Sequence, residues 1–275
     1  MENNKTIFLA KNISELLYQV KNVYGLQVVG GCTSLKELPE KALSIRNIAE
    51  LKTIVFRERF IDFGPATTLN QIINFGKGRV PRILQEASES CSNYFVRNMA
   101  TLGGNICASQ QSQKAQKRTL YAPLLALGAS LKFKTSDSQI GTTIPLSKFS
   151  GVPEKQVLTS IRVPADDWDV SIFRRLGPDS RLTGESASFC FLAKTSGGVL
   201  SEAKIAFAGP FVFMDSDLEI KLLGTRLPLS KKTIQDWTEA AQVSFEKAAE
   251  AAEYSNQTVK DAFKCLALYS LNQLT

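Results

Sequence analysis

A polar, glycine-bearing segment, Arg97–Ile106, constrains the fold of this chain more than any other feature, because it lies between two stretches that predict packed structure. Before it, the apolar residues of 81–87 recur at helical spacing; after it, the apolar run 122–127 carries a proline suited to a helix start. We therefore expect a loop held at both ends. Its Gly103-Gly104 pair would permit positive φ angles or the close approach of a ligand, such as a phosphate or a polar heterocycle. A plain turn is the alternative.

A second glycine pair follows a short β-branched run. The residues 26–29 predict a strand that leads directly into Gly30-Gly31, and hydroxyl side chains follow at Thr33 and Ser34. Backbone N–H groups and hydroxyls at the carboxyl end of a strand are placed where ligands of α/β sheets commonly bind. The spacing matches neither the Gly-x-Gly-x-x-Gly fingerprint nor a Walker loop. The two glycine loops could enclose an extended ligand such as a dinucleotide, or they could be independent turns.

Composition narrows the possible classes of protein. The 275 residues, with 44% hydrophobic and 21% charged content, predict a globular protein of two domains. The net charge of +7 favours an anionic ligand or an acidic partner surface. Lysines and arginines are scattered without interleaved aromatics, so nucleic-acid binding is not indicated. The chain shows no signal-type apolar core and no run long enough to span a bilayer, from which we expect a cytoplasmic protein.

The absence of histidine excludes several kinds of chemistry. There can be no Ser-His-Asp triad, no histidine metal ligand and no flavin attached through an imidazole. The five cysteines are far apart in sequence and form no Cys-x-x-Cys pair, so no zinc site or iron–sulfur cluster is predicted within this chain. Proton or redox chemistry would have to use other side chains or a cofactor.

Periodicity and breaker residues predict alternating helices and strands, with three strands followed by helices after residue 169. Thr195–Gly198 is predicted to be a hairpin turn. The predicted helices begin after the cap Asn12 and after Thr67 or Thr68, and include 81–87, the Pro123 region, 215–223, 231–253 and 258–273. The predicted strands are 26–29, 42–45, 53–57, 59–63, 130–135, 158–163, 170–176, 186–194 and 203–208.

Three arginines are candidate anion partners. Arg97, just before the second glycine loop, could neutralise a phosphate, although an arginine at a helix end more often pairs with a carboxylate or the helix dipole. Arg174 and Arg175 lie on a predicted strand, where alternation sends one side chain inward and the other outward. One of them could face a cleft, or both could be solvated.

Three strings, taken together, resemble the FAD-binding subunit of molybdenum hydroxylases, a family that includes the flavoproteins of xanthine dehydrogenase and carbon monoxide dehydrogenase. They are Val28–Leu35 (VVGGCTSL), Arg97–Ile106 (RNMATLGGNI) and Phe173–Leu176 (FRRL), which occur in the family's order and approximate spacing. The resemblance covers essentially the whole chain. The Arg-Asn-x-Ala-Thr-x-Gly-Gly-Asn string is far more specific than a lone glycine pair.

The resemblance implies an α+β fold in two domains. Residues 1–166 would form an FAD-binding domain of two α+β subdomains, and residues 167–275 a carboxyl-terminal domain with a three-stranded antiparallel sheet and a helical bundle. It also implies cofactor contacts: the first loop would line the FAD pyrophosphate, the second would hold it, and two further residues would lie near the isoalloxazine. The implied cofactor-binding residues are Val28, Val29, Gly30, Gly31, Cys32, Thr33, Ser34, Leu35, Thr101, Leu102, Gly103, Gly104, Asn105, Leu158 and Arg174.

The chain departs from the family after the second loop. Members similar to xanthine dehydrogenase continue with Ala-Ser-Pro and an aspartate, whereas this chain has Ala108 and Ser109 followed by the glutamine-rich segment 110–113. A similar loop occurs in a branch of the family associated with selenium-dependent hydroxylases. The change affects the expected contacts with the ribose or flavin and the expected electron acceptor.

The resemblance implies an oxidoreductase subunit that binds FAD non-covalently and has no catalytic or metal-ligating residues of its own. Molybdopterin and [2Fe-2S] clusters would reside only in a large and a small partner subunit, and electrons would pass through FAD to NAD or another acceptor. One alternative is a self-contained FAD-dependent oxidoreductase that acts directly on a small substrate. Another is a non-enzymatic module that binds anions through the same glycine loops.

Overall fold

The computed structural model describes residues 5–76, 78–108, 118–178, 183 and 185–275. The strands are β1 Thr6–Leu9, β2 Gln27–Val29, β3 Lys41–Ser44, β4 Ile54–Phe56, β5 Phe60–Phe63, β6 Ser130–Thr135, β7 Ser138–Pro145, β8 Val157–Pro164, β9 Val170–Leu176, β10 Ala187–Ser196, β11 Val199–Ala208 and β12 Val212–Met214. The helices are α1 Ile13–Asn22, α2 Leu69–Asn74, α3 Arg82–Ser90, α4 Tyr94–Arg97, α5 Leu102–Cys107, α6 Tyr121–Ala126, α7 Ser216–Leu222, α8 Lys231–Ala251 and α9 Gln257–Asn272. Of these helices, none has the length and apolarity to cross a membrane.

The chain divides into two compact units whose boundaries are not contiguous in sequence. The first unit holds the described residues of 1–81, 91–110 and 128–166. The second holds α3, the described residues of 111–127, and everything from residue 167 onward. Two short segments of the amino-terminal half therefore belong to the second unit: α3 packs on β9, and α6 packs on β10 and β11.

The first unit contains a three-stranded parallel sheet in the order β1-β3-β2. Helix α1 begins where the sequence predicts: the Asn12 side chain accepts from the N–H of Glu15, and the Glu15 carboxylate accepts from the N–H of Lys11. Leu16 of α1 is fully buried with Leu43 of β3 in one apolar cluster. Because all three strands run in the same direction, β2 and β3 end at the same edge of the sheet.

The first unit also contains a five-stranded antiparallel sheet in the order β4-β5-β8-β6-β7. Asp62 of β5 joins two neighbouring segments, since it accepts from Arg162 of β8 and from Arg57 in the turn between β4 and β5. Burial alone would raise the pKa of Asp62, but the hydrogen bonds from the two guanidinium groups outweigh that cost and lower the pKa below its ordinary value.

The second unit consists of a four-stranded antiparallel sheet, in the order β12-β11-β10-β9, that packs against helices. The predicted hairpin turn joins β10 to β11. Aromatic side chains form much of its core: Phe245 of α8 and Phe263 of α9 are fully buried and stacked at a centroid distance of 3.8 Å, and Phe207 of β11 meets Phe245 edge-on. This core holds the two long helices on the sheet.

The α+β class predicted from the sequence is confirmed. Each predicted strand lies within three residues of an observed strand at its ends, except that β11 begins four residues earlier than predicted. The structure adds β1 and β7, which the sequence pattern did not reveal, and it extends the predicted three-stranded sheet by the short edge strand β12. The edge strands β1 and β12, of four and three residues, carry too little alternation to be recognised.

A buried carboxylate joins α7 to the second sheet. Glu219 is 4% exposed, and its two oxygens accept from the N–H of Ile205, at 3.2 Å, and from the ammonium of Lys204, at 2.7 Å. Without that carboxylate, a buried N–H would lose its acceptor.

We therefore predict that Glu219→Ala lowers the free energy of unfolding by about 2–4 kcal/mol, measured by urea denaturation. Glu202→Ala removes an exposed carboxylate that pairs with Lys194 of the same sheet, and we expect a loss below about 0.5 kcal/mol. Equal losses in the two variants would contradict the assigned role of Glu219.

Candidate functional site

The first glycine loop leaves the carboxyl end of β2, at the edge of the parallel sheet. Val29 is the last residue of β2, and its carbonyl accepts from the N–H of Ile45 at 3.0 Å. Beyond it the chain turns through Gly30 and Gly31 to Cys32, which has a φ of +56°. The N–H of Leu35 then closes the turn on the carbonyl of Cys32 at 3.3 Å.

This loop presents backbone donors that the protein does not use. Among the described residues, no hydrogen bond occupies the N–H groups of Gly31, Cys32, Thr33 or Ser34. The last three of these residues are exposed, and two of them add hydroxyl groups. Consecutive unpaired N–H groups beside a left-handed residue form a concave surface of partial positive charge, which suits phosphate oxygens. The donor set therefore fits a diphosphate.

The second glycine segment is not the loop that the sequence predicted. It comprises the end of α4, a short connection, and the whole of α5 except Cys107, with Gly103 and Gly104 inside the first turn of that helix. Thr101 caps α5, because its side chain accepts from the N–H of Gly104 at 3.1 Å. The prediction failed because a six-residue helix with two glycines lacks the apolar periodicity that identifies longer helices.

The N–H groups at the start of α5 are already satisfied within the protein. They bind two carbonyls of the preceding segment 65–67 and two oxygens of the cap residue. The bonds run from Leu102 to Thr67 O, from Gly103 to Pro65 O, from Gly104 to Thr101 Oγ1 and from Asn105 to Thr101 O, at 2.9–3.1 Å. This segment is therefore anchored internally, and its unpaired donor capacity is lower than that of the first loop.

The two glycine segments contact each other through their backbones. A Cβ on Gly31 would lie 1.7 Å from the carbonyl oxygen of Met99, and one on Gly30 would lie 2.8 Å from Thr101 Oγ1. A Cβ on Gly103 would lie 2.8 Å from the carbonyl oxygen of Pro65. These glycines, and Gly104, do not have positive φ angles, so the left-handed backbone that the sequence suggested as one reason for glycine is not present. Close packing requires glycine at positions 30, 31 and 103.

Arg97 has a structural role in this segment. Its Nε donates to the Asn70 side chain at 3.2 Å, and its Nη1 donates to the carbonyl of Ser92 at 2.7 Å. Asn70 is buried and in turn donates to Asn98 and to the carbonyl of Tyr94. The guanidinium thereby ties α4 to α2.

The other predicted site residues lie in different parts of the fold. Leu158 is buried in β8, where it pairs with Phe133 of the five-stranded sheet. Arg174 belongs to the second unit, where its exposed side chain lies over the Tyr269 ring, 5.6 Å from the centroid. Its neighbour Arg175 is half-buried and donates to the carbonyl of Ser90. The glutamine-rich segment 110–113 lies outside the described residues.

Sequence reasoning missed one cation beside the first loop. Arg46 follows β3 at the same edge of the sheet, and its positive charge acts on the Cys32 thiol. Burial raises the pKa of that thiol, and the Arg46 charge partly offsets the rise. The signal was present in the sequence, since Arg46 directly follows a predicted strand, but the parallel pairing of β2 with β3 was not readable from it.

The described residues contain no cluster of His, Cys, Asp or Glu that could hold a metal ion.

Residues 3–166 match a family model described as the FAD binding domain in molybdopterin dehydrogenase. The Nicotinate dehydrogenase FAD-subunit of Eubacterium barkeri is 23% identical over 295 residues, which cover 97% of this chain and 96% of the relative. An Indole-3-acetaldehyde oxidase of Zea mays is 28% identical over 175 residues, or 61% of this chain. This chain covers only 13% of the length of that plant protein.

Solved structures with the same fold cover nearly the whole chain. Carbon monoxide dehydrogenase from Hydrogenophaga pseudoflava matches with a TM-score of 0.77 and 21% identity, over 98% of this chain and 96% of the other. Quinoline 2-oxidoreductase from Pseudomonas putida 86 matches with the same TM-score and coverage at 16% identity.

The contact between the glycine segments gives a prediction for stability. Gly31→Ala would force a Cβ against the Met99 carbonyl, and we expect the free energy of unfolding to fall by about 1–3 kcal/mol, measured by urea denaturation. In Gly104→Ala the new Cβ meets only Thr101 Oγ1, at 3.0 Å, and alanine favours the helix. That control is expected to be unchanged or more stable by up to about 1 kcal/mol. A Gly31→Ala variant as stable as the wild type would show that the contact is not tight.

Proposed function

Because the chain belongs to the family of FAD binding domains found in molybdopterin dehydrogenases, we propose that it is the FAD-binding electron-transfer subunit of a multi-subunit molybdenum hydroxylase. The family resemblance inferred from the sequence is confirmed, as is the assignment to FAD-dependent oxidoreductases. The observation that carries the proposal is the set of unpaired N–H groups in the first glycine loop, inside the matched region 3–166.

In this proposal the residues of Val28–Leu35 bind the FAD pyrophosphate through the N–H groups of residues 31–34. The segment Thr101–Asn105 supports that loop by contact with its glycines, and the Thr101 hydroxyl lies beside Gly30. Leu158 and Arg174 are proposed to lie near the isoalloxazine ring. When bound, FAD supplies the redox chemistry, while the chain's own residues bind the cofactor and orient it.

The proposed partners are a large subunit that carries molybdopterin and a small subunit that carries [2Fe-2S] clusters. Electrons from those clusters would pass through FAD to NAD or another acceptor. The relative that matches over 96% of its length is named as the FAD-subunit of nicotinate dehydrogenase, which supports a subunit rather than a self-contained enzyme. We propose a cytoplasmic location. We also propose a domain boundary at residues 166–167, supported by the end of the family match at residue 166.

FAD titration of the purified full-length chain tests the proposal directly. We expect uptake of about one FAD per chain, with a flavin absorption spectrum and a change in flavin fluorescence. Addition of the substrate of a molybdenum partner should reduce the bound FAD only when both partner subunits are present. A chain that takes up no FAD would contradict the proposal, and turnover of an organic substrate by the lone chain would favour the self-contained oxidoreductase.

Loop packing should also control the affinity for FAD. We predict that Gly31→Ala weakens FAD binding by about 1–3 kcal/mol, because the displaced loop no longer presents its N–H groups in one arrangement. Gly209→Ala is the control: its Cβ would also be too close to its neighbours, 2.6 Å from Ala187 Cβ, but it lies in the second unit. Comparable loss of FAD affinity in the two variants, measured by fluorescence titration, would show that general destabilisation is the cause.

A further inference from the structure

Arg46 lies beside the first glycine loop because of the pairing of two parallel strands. Val29 of β2 is aligned with Ser44 of β3, and the N–H of Ile45 donates to the carbonyl of Val29. Arg46 is the next residue, so it leaves the sheet at the same edge as Gly30. Its backbone N–H donates to the Ser44 hydroxyl at 3.4 Å, which helps to fix the backbone from which the Arg46 side chain extends.

The Arg46 side chain is exposed and has no acidic partner in the part of the chain that the structure describes. Two other arginines of the same unit, Arg57 and Arg162, share the carboxylate of Asp62. Its charge nevertheless reaches the loop, since it partly offsets the rise that burial causes in the pKa of the Cys32 thiol. An arginine that is close to a donor-rich loop and has no carboxylate to neutralise it is available for an anionic ligand.

We propose that the Arg46 guanidinium binds the diphosphate of FAD from the side of β3, and completes the site formed by the N–H groups of residues 31–34. This inference rests on the proposed function. A diphosphate carries two negative charges, and the N–H groups supply only partial positive charge. Guanidinium adds a full charge and two parallel donors that match phosphate oxygens.

The test measures the Kd of FAD for the full chain by fluorescence titration at low and high ionic strength. R46Q is expected to weaken binding about three- to tenfold at low ionic strength, and to reduce the dependence of Kd on salt. R46K keeps the charge but loses the two parallel donors, so it is expected to bind FAD more tightly than R46Q and to keep the salt dependence of the wild type. The matched control is R59Q: Arg59 is an exposed arginine of the same unit, located in the turn between β4 and β5 of the other sheet. It should leave both readouts unchanged.

The outcomes separate this inference from the proposed function. If the wild-type chain binds no FAD, the proposed function fails. If the wild type binds FAD and R46Q binds it with the same Kd and the same salt dependence, the role of Arg46 is overturned while the function stands. If R46K shows the same reduced salt dependence as R46Q, or if R59Q loses as much affinity as R46Q, a positive charge at position 46 is not the determinant and the inference is likewise overturned. Thermal unfolding of each variant confirms that the fold is retained.

Discussion

The candidate site depends on the contact between two stretches of backbone, at Gly31 and at Met99. There is no room for a side chain at this contact, because the nearest carbonyl oxygen would lie 1.7 Å from a Cβ. The Met99 segment is itself fixed. The neighbouring Ala100 carbonyl accepts from the N–H of Leu69, and the first N–H groups of α5 donate to carbonyls of residues 65–67. A loop at the edge of the parallel sheet is thereby held against a segment that is tied to α2 within the same unit.

The two glycine segments contribute differently to the candidate site. The amino-terminal N–H groups of α5 are hydrogen-bonded within the protein, so that segment acts mainly as a support. The first loop keeps its donors unpaired, and Cys32 adopts a left-handed conformation that a non-glycine residue takes only at some cost. A strained residue followed by unused donors is typical of a binding loop, whereas a satisfied helix cap is typical of structure. A search for Gly-Gly pairs alone does not distinguish the two.

Much of this fold could be predicted from the sequence where local signals were strong. The cap at Asn12, the strand at Ser130–Thr135 and the turn at Thr195–Gly198 follow from capping, alternation and glycine. The predicted loop around Gly103 was wrong, because short helices in glycine-rich segments are set by tertiary bonds rather than by periodicity. The position of Arg46 also depends on strand order, and neither a parallel pair nor its register is encoded locally.

Preorganisation explains why the site needs both parts. Four consecutive N–H groups on a free loop would be hydrated and would sample many arrangements, so a ligand would have to supply the cost of ordering them. Packing of Gly30 and Gly31 against residues 99–101 meets that cost during folding, before any ligand is present. Substitutions that loosen the contact should therefore reduce affinity without removing a donor to the ligand, whereas loss of the Arg46 charge should reduce affinity without loosening the loop. In the proposed site, the glycine contact therefore provides the geometric contribution to binding, and Arg46 at the same edge of the parallel sheet provides the electrostatic one.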